Sequence, residues 1–402
     1  MPRTHHAPES AAPVGLRASQ IAATIACRLA LNTGRRFIYP FAPDLSRALG
    51  VPLTAITSLV AVNSATSLLG FGLGPVADRF GYRAMMLLGL GALTVGMGAA
   101  GLLPVFTMLV IAQFLSGAGK SLFDPALQAY ISERVPYTRR GLVVGLLETA
   151  WAGSTLAGIP LLALLIDQAG WRAAFFALSA SGVIGIGLMA FLLPADLPRD
   201  AEARVRVDFR QLFAAILQSR PALGMALFAF LFNTAMDNLF VIFGAWMEAA
   251  FQLSVLALGV GTSVIGAGEL LGESITAGLG DRLGLKRMAI GGVFLCVFTY
   301  LLLPIAAQTL PLALAAVFLH FCMFEMTIVT VLSVTTELLP AARATMIAAF
   351  YASAGAGRVA GALLGGPVWL AAGIWGTGIL SAVLTALSLA ALLWALKGWK
   401  RD

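Results

Sequence analysis

The chain alternates between two textures: apolar runs of about 20 residues or more with few charges, and short breaks where Gly, Pro, Arg and Asp gather. A run of that length crosses the hydrocarbon core as a helix, whereas a membrane β-barrel writes alternating segments of about 10 residues. The pattern predicts an all-α polytopic membrane protein with helices over 19–45, 52–77, 84–103, 105–131, 141–165, 171–193, 222–249, 255–279, 287–305, 309–335, 343–369 and 372–396. The longest break, Pro194 to Arg220, separates six spans from six. Phe209, Leu212, Phe213, Ile216 and Leu217 recur there at helical spacing, which predicts an interfacial amphipathic linker. The expected organisation is a tail over 1–18, a six-helix half over 19–193, the linker over 194–221, a second half over 222–396 and a tail over 397–402.

Composition supports the membrane reading and removes others. Charged residues make up 11% of the chain, against roughly 25% in a soluble domain, and the mean hydropathy is +0.90. The net charge of +7 does not mark a nucleic-acid binder, because the basic residues are scattered over many short loops and form no single patch. Their distribution carries topology instead. Most of them, Arg83, Arg134, Arg140, Arg206 and Arg287 included, fall in loops on the side of the N-terminus, while Arg47 and Arg172 stand on the other. This positive-inside bias predicts both termini in the cytoplasm and a multi-pass chain in the inner membrane. Cys27, Cys296 and Cys322 lie inside apolar runs and read as packing residues, not as a disulfide framework.

The chain also repeats itself. Asp78-Arg79-Phe80-Gly81-Tyr82-Arg83 follows the second span and Asp281-Arg282-Leu283-Gly284-Leu285-Lys286 the eighth, 281 − 78 = 203 positions later. Glu133, Pro136 and Arg139 after the fourth span return as Glu337, Pro340 and Arg343 after the tenth, at the same offset within one residue. Two independent motifs at one offset predict two pseudo-symmetric six-helix bundles. With Gly74 ahead of Asp78, the first motif reads Gly-x-x-x-Asp-Arg-x-Gly-x-basic, and the chain thereby resembles the major facilitator superfamily over nearly its whole length. The resemblance implies that fold and a gating role for Gly74, Asp78, Arg79, Gly81 and Arg83. It extends more loosely, through Gly278, to Asp281, Arg282, Gly284 and Lys286, with Glu133, Arg139, Glu337 and Arg343 in the companion loops. A glycine turn lets two helices approach closely, and a carboxylate is stabilised at a helix N-terminus. The plainer alternative is that these are topogenic loop charges.

Charges inside a membrane span are costly and face the bundle interior or a water-filled path. The first span carries Arg28, Arg35 and Arg36, the fourth Lys120 and Asp124, the fifth Glu148, the seventh Asp237 and the eighth Glu269 and Glu273. The tenth carries His320 and Glu325, the eleventh Arg358, and the interiors of the third, sixth, ninth and twelfth carry none. In the family the resemblance points to, those four are the outer helices. Arg28, Asn32, Arg35 and Tyr39 form one polar stripe with Arg36 at its edge. Asn32-Thr33 with Arg36 is echoed by Asn233-Thr234 with Asp237, which suggests a central Arg36–Asp237 pair unless each charge is satisfied within its own half. Lys120 and Asp124 are spaced to neutralise one another. Glu269 and Glu273 share a sign one turn apart, so a proton is expected on at least one of them. Together these residues form the candidate path for substrate and protons, each weighed against a purely structural ion pair.

Within the superfamily the likeness is to prokaryotic drug and solute:proton antiporters, and the chain departs from their pattern in places. Gln113 stands where many such exporters carry an arginine ahead of a Gly-x-Gly, here Gly117-Ala118-Gly119, so proton coupling does not transfer by motif. Gly153, Gly158, Ile159 and Pro160 match their fifth-helix motif only in part. The arginines of the first span, where such exporters often carry an acid, tilt the site toward anionic or amphipathic solutes. The expected function is secondary active transport of a small organic or amphipathic solute by alternating access, as proton-coupled export. The alternatives are uptake of an organic anion, or lipid or pigment handling by a transporter-like protein. The expected partners are the solute, protons and the lipid bilayer, for a chain working as a monomer with no cofactor or metal. Neither a His-Glu-x-x-His pattern nor a Gly-x-x-x-x-Gly-Lys-Ser/Thr loop occurs, which argues against a membrane enzyme and against ATP-driven pumping by this chain alone.

Overall fold

The computed structural model describes residues 16–69, 80–196, 219–338 and 343–399. Gly74, Asp78 and Arg79, and most of the expected linker, lie outside them. The described residues form twelve crossings, and every regular element among them is helical. In the first half, α1 comprises Ala18–Arg36 and Ile38–Leu49, α2 is Leu53–Ala65 with a 3-10 turn over Thr66–Leu69, α3 is Tyr82–Leu102 and α4 is Phe106–Arg134. α5 comprises Tyr137–Gly153, a π-helical turn over Ser154–Gly158 and residues 159–169, and α6 covers 171–192. In the second half, α7 comprises Arg220–Phe240 and Phe243–Phe251, α8 comprises Val255–Gly261 and Ser263–Leu283, and α9 is Leu285–Ala306. α10 is Leu310–Leu338, and α11 and α12 cover 343–372 and 374–395.

The repeat read in the sequence returns in the backbone. α5 passes into α6 through Gly170 (φ 74°) and α11 into α12 through Gly373 (φ 59°), and 373 − 170 = 203. Gly81 (φ 92°) and Gly284 (φ 83°), ahead of α3 and α9, stand at the same offset. Only glycine takes these left-handed angles without steric cost. Side chains repeat too: the Arg83 guanidinium donates to Ala190 O at the end of α6, and Lys286 Nζ to Trp399 O (2.9 Å) just past α12. A cation near a helix C-terminus complements the partial negative charge there. Gln20 Nε2 donates to Leu192 O (2.8 Å) and the Arg220 guanidinium to Lys397 O, so both halves begin and end at one face, here called the terminal face.

Breaks within helices follow from composition. Pro40 has no N–H to offer Arg36 O, and α1 is interrupted at Phe37. Helix pairs approach through glycines, as small residues allow in membranes. A Cβ on Gly268 of α8 would sit 2.7 Å from Phe318 O of α10, and one on Gly272 would meet Cys322 O and lie 3.1 Å from Glu325 Cβ. This packing holds Glu269 and Glu273 against the helix that carries Glu325.

Gly268→Ala therefore forces backbone apart and should cost about 1–3 kcal/mol. Gly291→Ala, where no atom lies within 4 Å of the added methyl, should be neutral or slightly stabilising. Thermal unfolding of both variants in detergent checks this; equal midpoints would refute the packing argument.

Candidate functional site

The irregular turn of α5 builds the centre of the molecule. A π-turn and Pro160, which has no N–H for Leu156 O, break the regular ladder of α5, and side chains from both halves donate to its carbonyls. Asn32 Nδ2 donates to Ala150 O (3.0 Å) and Arg36 Nη1 to Trp151 O (3.1 Å). From α8, Thr262 Oγ1 donates to Thr155 O (3.3 Å) and Ser263 Oγ to Leu156 O (3.2 Å). The break in α1 places Arg36 at this level.

Arg36 does not meet Asp237, as the sequence suggested; it binds Glu269 of α8. Arg36 Nη2 lies 2.6 Å from Glu269 Oε1 and Nη1 donates to Oε2 at 3.2 Å, with both side chains almost wholly buried. The carboxylate also accepts from Trp151 Nε1 (3.2 Å) and Thr155 Oγ1 (3.3 Å). The reason is geometric: Glu269 faces α5 at the level where Arg36 reaches across it, while Asp237 is taken up by Tyr39 of α1 and Arg358 of α11. Asp237 accepts from Tyr39 Oη (2.9 Å) and lies 3.9 Å from Arg358 Nε. Tyr39 stacks on Phe240, ring centroids 3.9 Å apart.

A second network lies inside the first half. Lys120 and Asp124 pair at 2.6 Å, Lys120 also donates to Asn32 Oδ1 (2.6 Å), and Arg28 bridges Asp124 (3.3 Å) to Glu148 (2.9 Å). The Glu148 side chain is 41% exposed. It lies on the terminal side of the α5–α8 contacts, so the cluster is reachable from the terminal face. On the opposite face the two halves touch closely: a Cβ on Gly244 would overlap Pro40 O, and Arg47 of α1 pairs with Glu248 of α7 (2.8 Å). Neither Glu248 nor Trp151 was singled out in the sequence. Trp151 had one available signal, its place three residues after Glu148 on the same helix face.

Other expected residues are placed as follows. Among the described residues Glu273 and Glu325 find no hydrogen-bond or ion-pair partner, although Glu273 lies within electrostatic range of Arg28, and Glu325 of Glu269, Glu273, Arg36 and Arg358. Arg35 likewise finds none among them. Asn233 Nδ2 is used within its own helix, on Ala229 O (2.8 Å). His320 is not part of the cluster: it is fully buried against α9, with Nδ1 2.8 Å from Thr299 Oγ1. Of the gating residues, Gly81 and Gly284 form the two turns, Arg139 and Arg282 are exposed, and Glu133 lies 3.7 Å from Arg134. Glu337 falls in the last turn of α10. The side chains of Asp281 and Arg343 lie outside the description. The Arg83 N–H donates to Asp196 (3.1 Å), an anionic cap on α3 that the sequence did not reveal.

Twelve crossings, a 203-residue repeat and a charged seam between halves agree with what the family comparison finds, since the description "Major Facilitator Superfamily" matches residues 24–243. The chain belongs to the Major Facilitator Superfamily. A second family description, "MFS_1 like family", matches residues 159–376. Among relatives, an uncharacterized MFS-type transporter of Bacillus subtilis, YceJ, is 28% identical over 303 residues, 75% of this chain and 76% of its own. The multi-drug resistance efflux pump PmrA of Streptococcus pneumoniae is 23% identical over 284 residues, 69% and 71% of the two chains. Among solved structures, a D-xylose-proton symporter superposes with TM-score 0.76 at 17% identity, over 94% of this chain and 96% of its own. A bacterial homologue of the human lysosomal transporter Spinster, inward-facing and unoccupied, gives 0.75 at 13%, over 96% and 100%. At these identities the structures show a shared fold. This MFS chain is thus a multi-pass secondary transporter, not an enzyme.

The Arg36–Glu269 bridge yields a stability prediction. Glu269→Gln leaves Arg36 buried without its counter-charge, which should cost about 3–5 kcal/mol. In Arg36→Gln/Glu269→Gln the combined loss should fall well short of the sum of the single losses. Additive losses in denaturant unfolding would show that the two residues do not act as a pair.

Proposed function

We propose that this chain is a proton-coupled secondary transporter of a small organic or amphipathic solute, working as a monomer in the inner membrane with both termini in the cytoplasm. One observation supports coupling above the rest: Glu273 and Glu325 stand beside the Arg36–Glu269 bridge without a basic partner of their own. Inside a bilayer an unpaired carboxylate is accommodated by a proton or by a cation brought to it, so these two are the proton carriers of the proposal. Lys120, Asp124, Arg28 and Glu148 then hold the first half together, and the loops around Asp78 and Asp281 serve as gates. The orientation rests on the bias of basic residues toward the terminal face. Export is favoured by relatives named as efflux pumps. Uptake of an organic anion is the second reading, favoured by Arg35, an interior guanidinium with no ion-pair partner among the described residues.

The test is intravesicular pH in proteoliposomes while cationic, neutral and anionic solutes are added in turn. Wild type should show proton flux triggered by one class of solute. Glu273→Gln/Glu325→Gln should abolish that flux while solute still moves down its gradient. Solute movement by wild type with no accompanying proton flux would sink the coupling claim.

A further inference from the structure

The interior cations are unequally satisfied. Arg36 is held by Glu269, Arg28 by Asp124 and Glu148, and Lys120 by Asp124 and Asn32. Arg35 has no such partner. The charged groups around it are Arg358, Asp237, Asp124 and Lys120, all beyond ion-pair distance, together with the Tyr39 hydroxyl. Among the described residues Arg358 comes within ion-pair distance of one carboxylate, Asp237, at 3.9 Å, and that carboxylate is already engaged by Tyr39 Oη. Two guanidiniums, one from each half, therefore stand around a carboxylate that only Arg358 reaches.

Unpaired groups of the two signs are not equivalent. A carboxylate such as Glu273 or Glu325 can lose its charge by taking a proton, whereas an arginine stays protonated at any physiological pH. The charge on Arg35 can be met only by an anion. Its neighbours Arg358 and Lys120 border an apolar surface, the Trp151 ring, with the Arg36 guanidinium 4.3 Å, Arg358 5.7 Å and Lys120 Nζ 5.8 Å from the ring centroid.

We propose that the central site takes a small organic anion, its carboxylate docking between Arg35 and Arg358 and its apolar body lying against Trp151. The planar fork of a guanidinium matches a carboxylate through two parallel hydrogen bonds, and two guanidiniums on opposite halves let one anion engage both. This rests on the reading of the charged seam as the transport site, and it gives the solute of that reading a negative charge.

The experiment is calorimetric titration of the full chain in nanodiscs with three probes of one shape: 1-naphthoate, 1-naphthamide and 1-naphthylmethylammonium. Wild type should bind naphthoate most tightly. Arg35→Gln should weaken it by about tenfold or more, as truncating one partner of a desolvated charge pair does, with little change for naphthamide. Arg35→Lys should keep the preference for naphthoate and confirm that the fold tolerates change at this position. Glu325→Gln, which removes a negative charge near Arg358, should bind naphthoate more tightly than wild type, a gain that general damage to the fold does not produce. Naphthoate binding no tighter than naphthamide, a preference for the ammonium probe, or equal naphthoate affinity in Arg35→Gln and wild type would each overturn the proposal. The result separates from the coupling claim: naphthoate binding without proton flux removes coupling alone, and proton flux driven by the ammonium probe without naphthoate binding removes the anion site alone.

Discussion

A guanidinium and a carboxylate from opposite halves, Arg36 and Glu269, meet where neither reaches water. Taking either charge out of water costs several kcal/mol, an order-of-magnitude figure, and the pair is tolerable only because further hydrogen bonds complete it. Here Trp151, Thr155 and two oxygens of α5 supply them. The rest of the interior follows from this one contact. It fixes α8 against α5, which the glycines of α8 in turn fix against α10, and it uses up the one cation closest to Glu269. Its acidic neighbours Glu273 and Glu325 are left to find their neutralisation elsewhere.

The irregular backbone and the charged residues belong to one design problem. A bilayer offers no water to an unpaired carbonyl, so non-helical backbone survives only where protein groups or an aqueous cavity satisfy it. Pro40 and Pro160 each deprive a carbonyl of its helical N–H donor, and the π-turn departs from the regular ladder of N–H groups and carbonyls of α5. Asn32, Arg36, Thr262 and Ser263 are the donors placed against those of α5. The polar residues of the interior thus have two duties, closing gaps in the ladder and presenting charge, and a residue can be committed wholly to the first. Asn233 is such a case, since its amide donates within its own helix.

Much of this was legible from sequence because hydrophobic length and charge placement obey the same rule: helices that face lipid cannot carry charge. The twelve spans and the charge-free interiors of the third, sixth, ninth and twelfth helices follow from it, and the 203-residue repeat read from the loop motifs returns in Gly170 and Gly373 at the level of single dihedral angles. Pairing was less legible. Asn32-Thr33 and Asn233-Thr234 do occupy related positions, yet analogy between repeats cannot say how far each side chain is rotated about its helix, and Arg36 turns toward Glu269. His320 looked like a titrating group by residue type alone; its surroundings on α9, Thr299 and Tyr300, lie about twenty residues away in the chain and leave no local mark. Lys120 and Asp124 were read correctly because a one-turn spacing on a single helix settles the geometry.

Charge is divided between the halves in a way that bears on movement. The first half contributes Arg28, Arg35, Arg36 and Lys120, offset by Asp124 and Glu148; the second contributes Asp237, Glu269, Glu273 and Glu325, offset by Arg358. Ionised, the halves attract one another across the seam, and rocking apart at this level would strip Arg36 of its partner. A cargo can shift the balance between open and closed states only if it interacts differently with them. In the proposed cycle a proton on Glu325 removes a negative charge near Arg358 and so strengthens the hold of Arg35 and Arg358 on the anion that bridges the halves. Anion and proton then favour one conformation together, and coupling arises from charge balance without a dedicated latch between their sites.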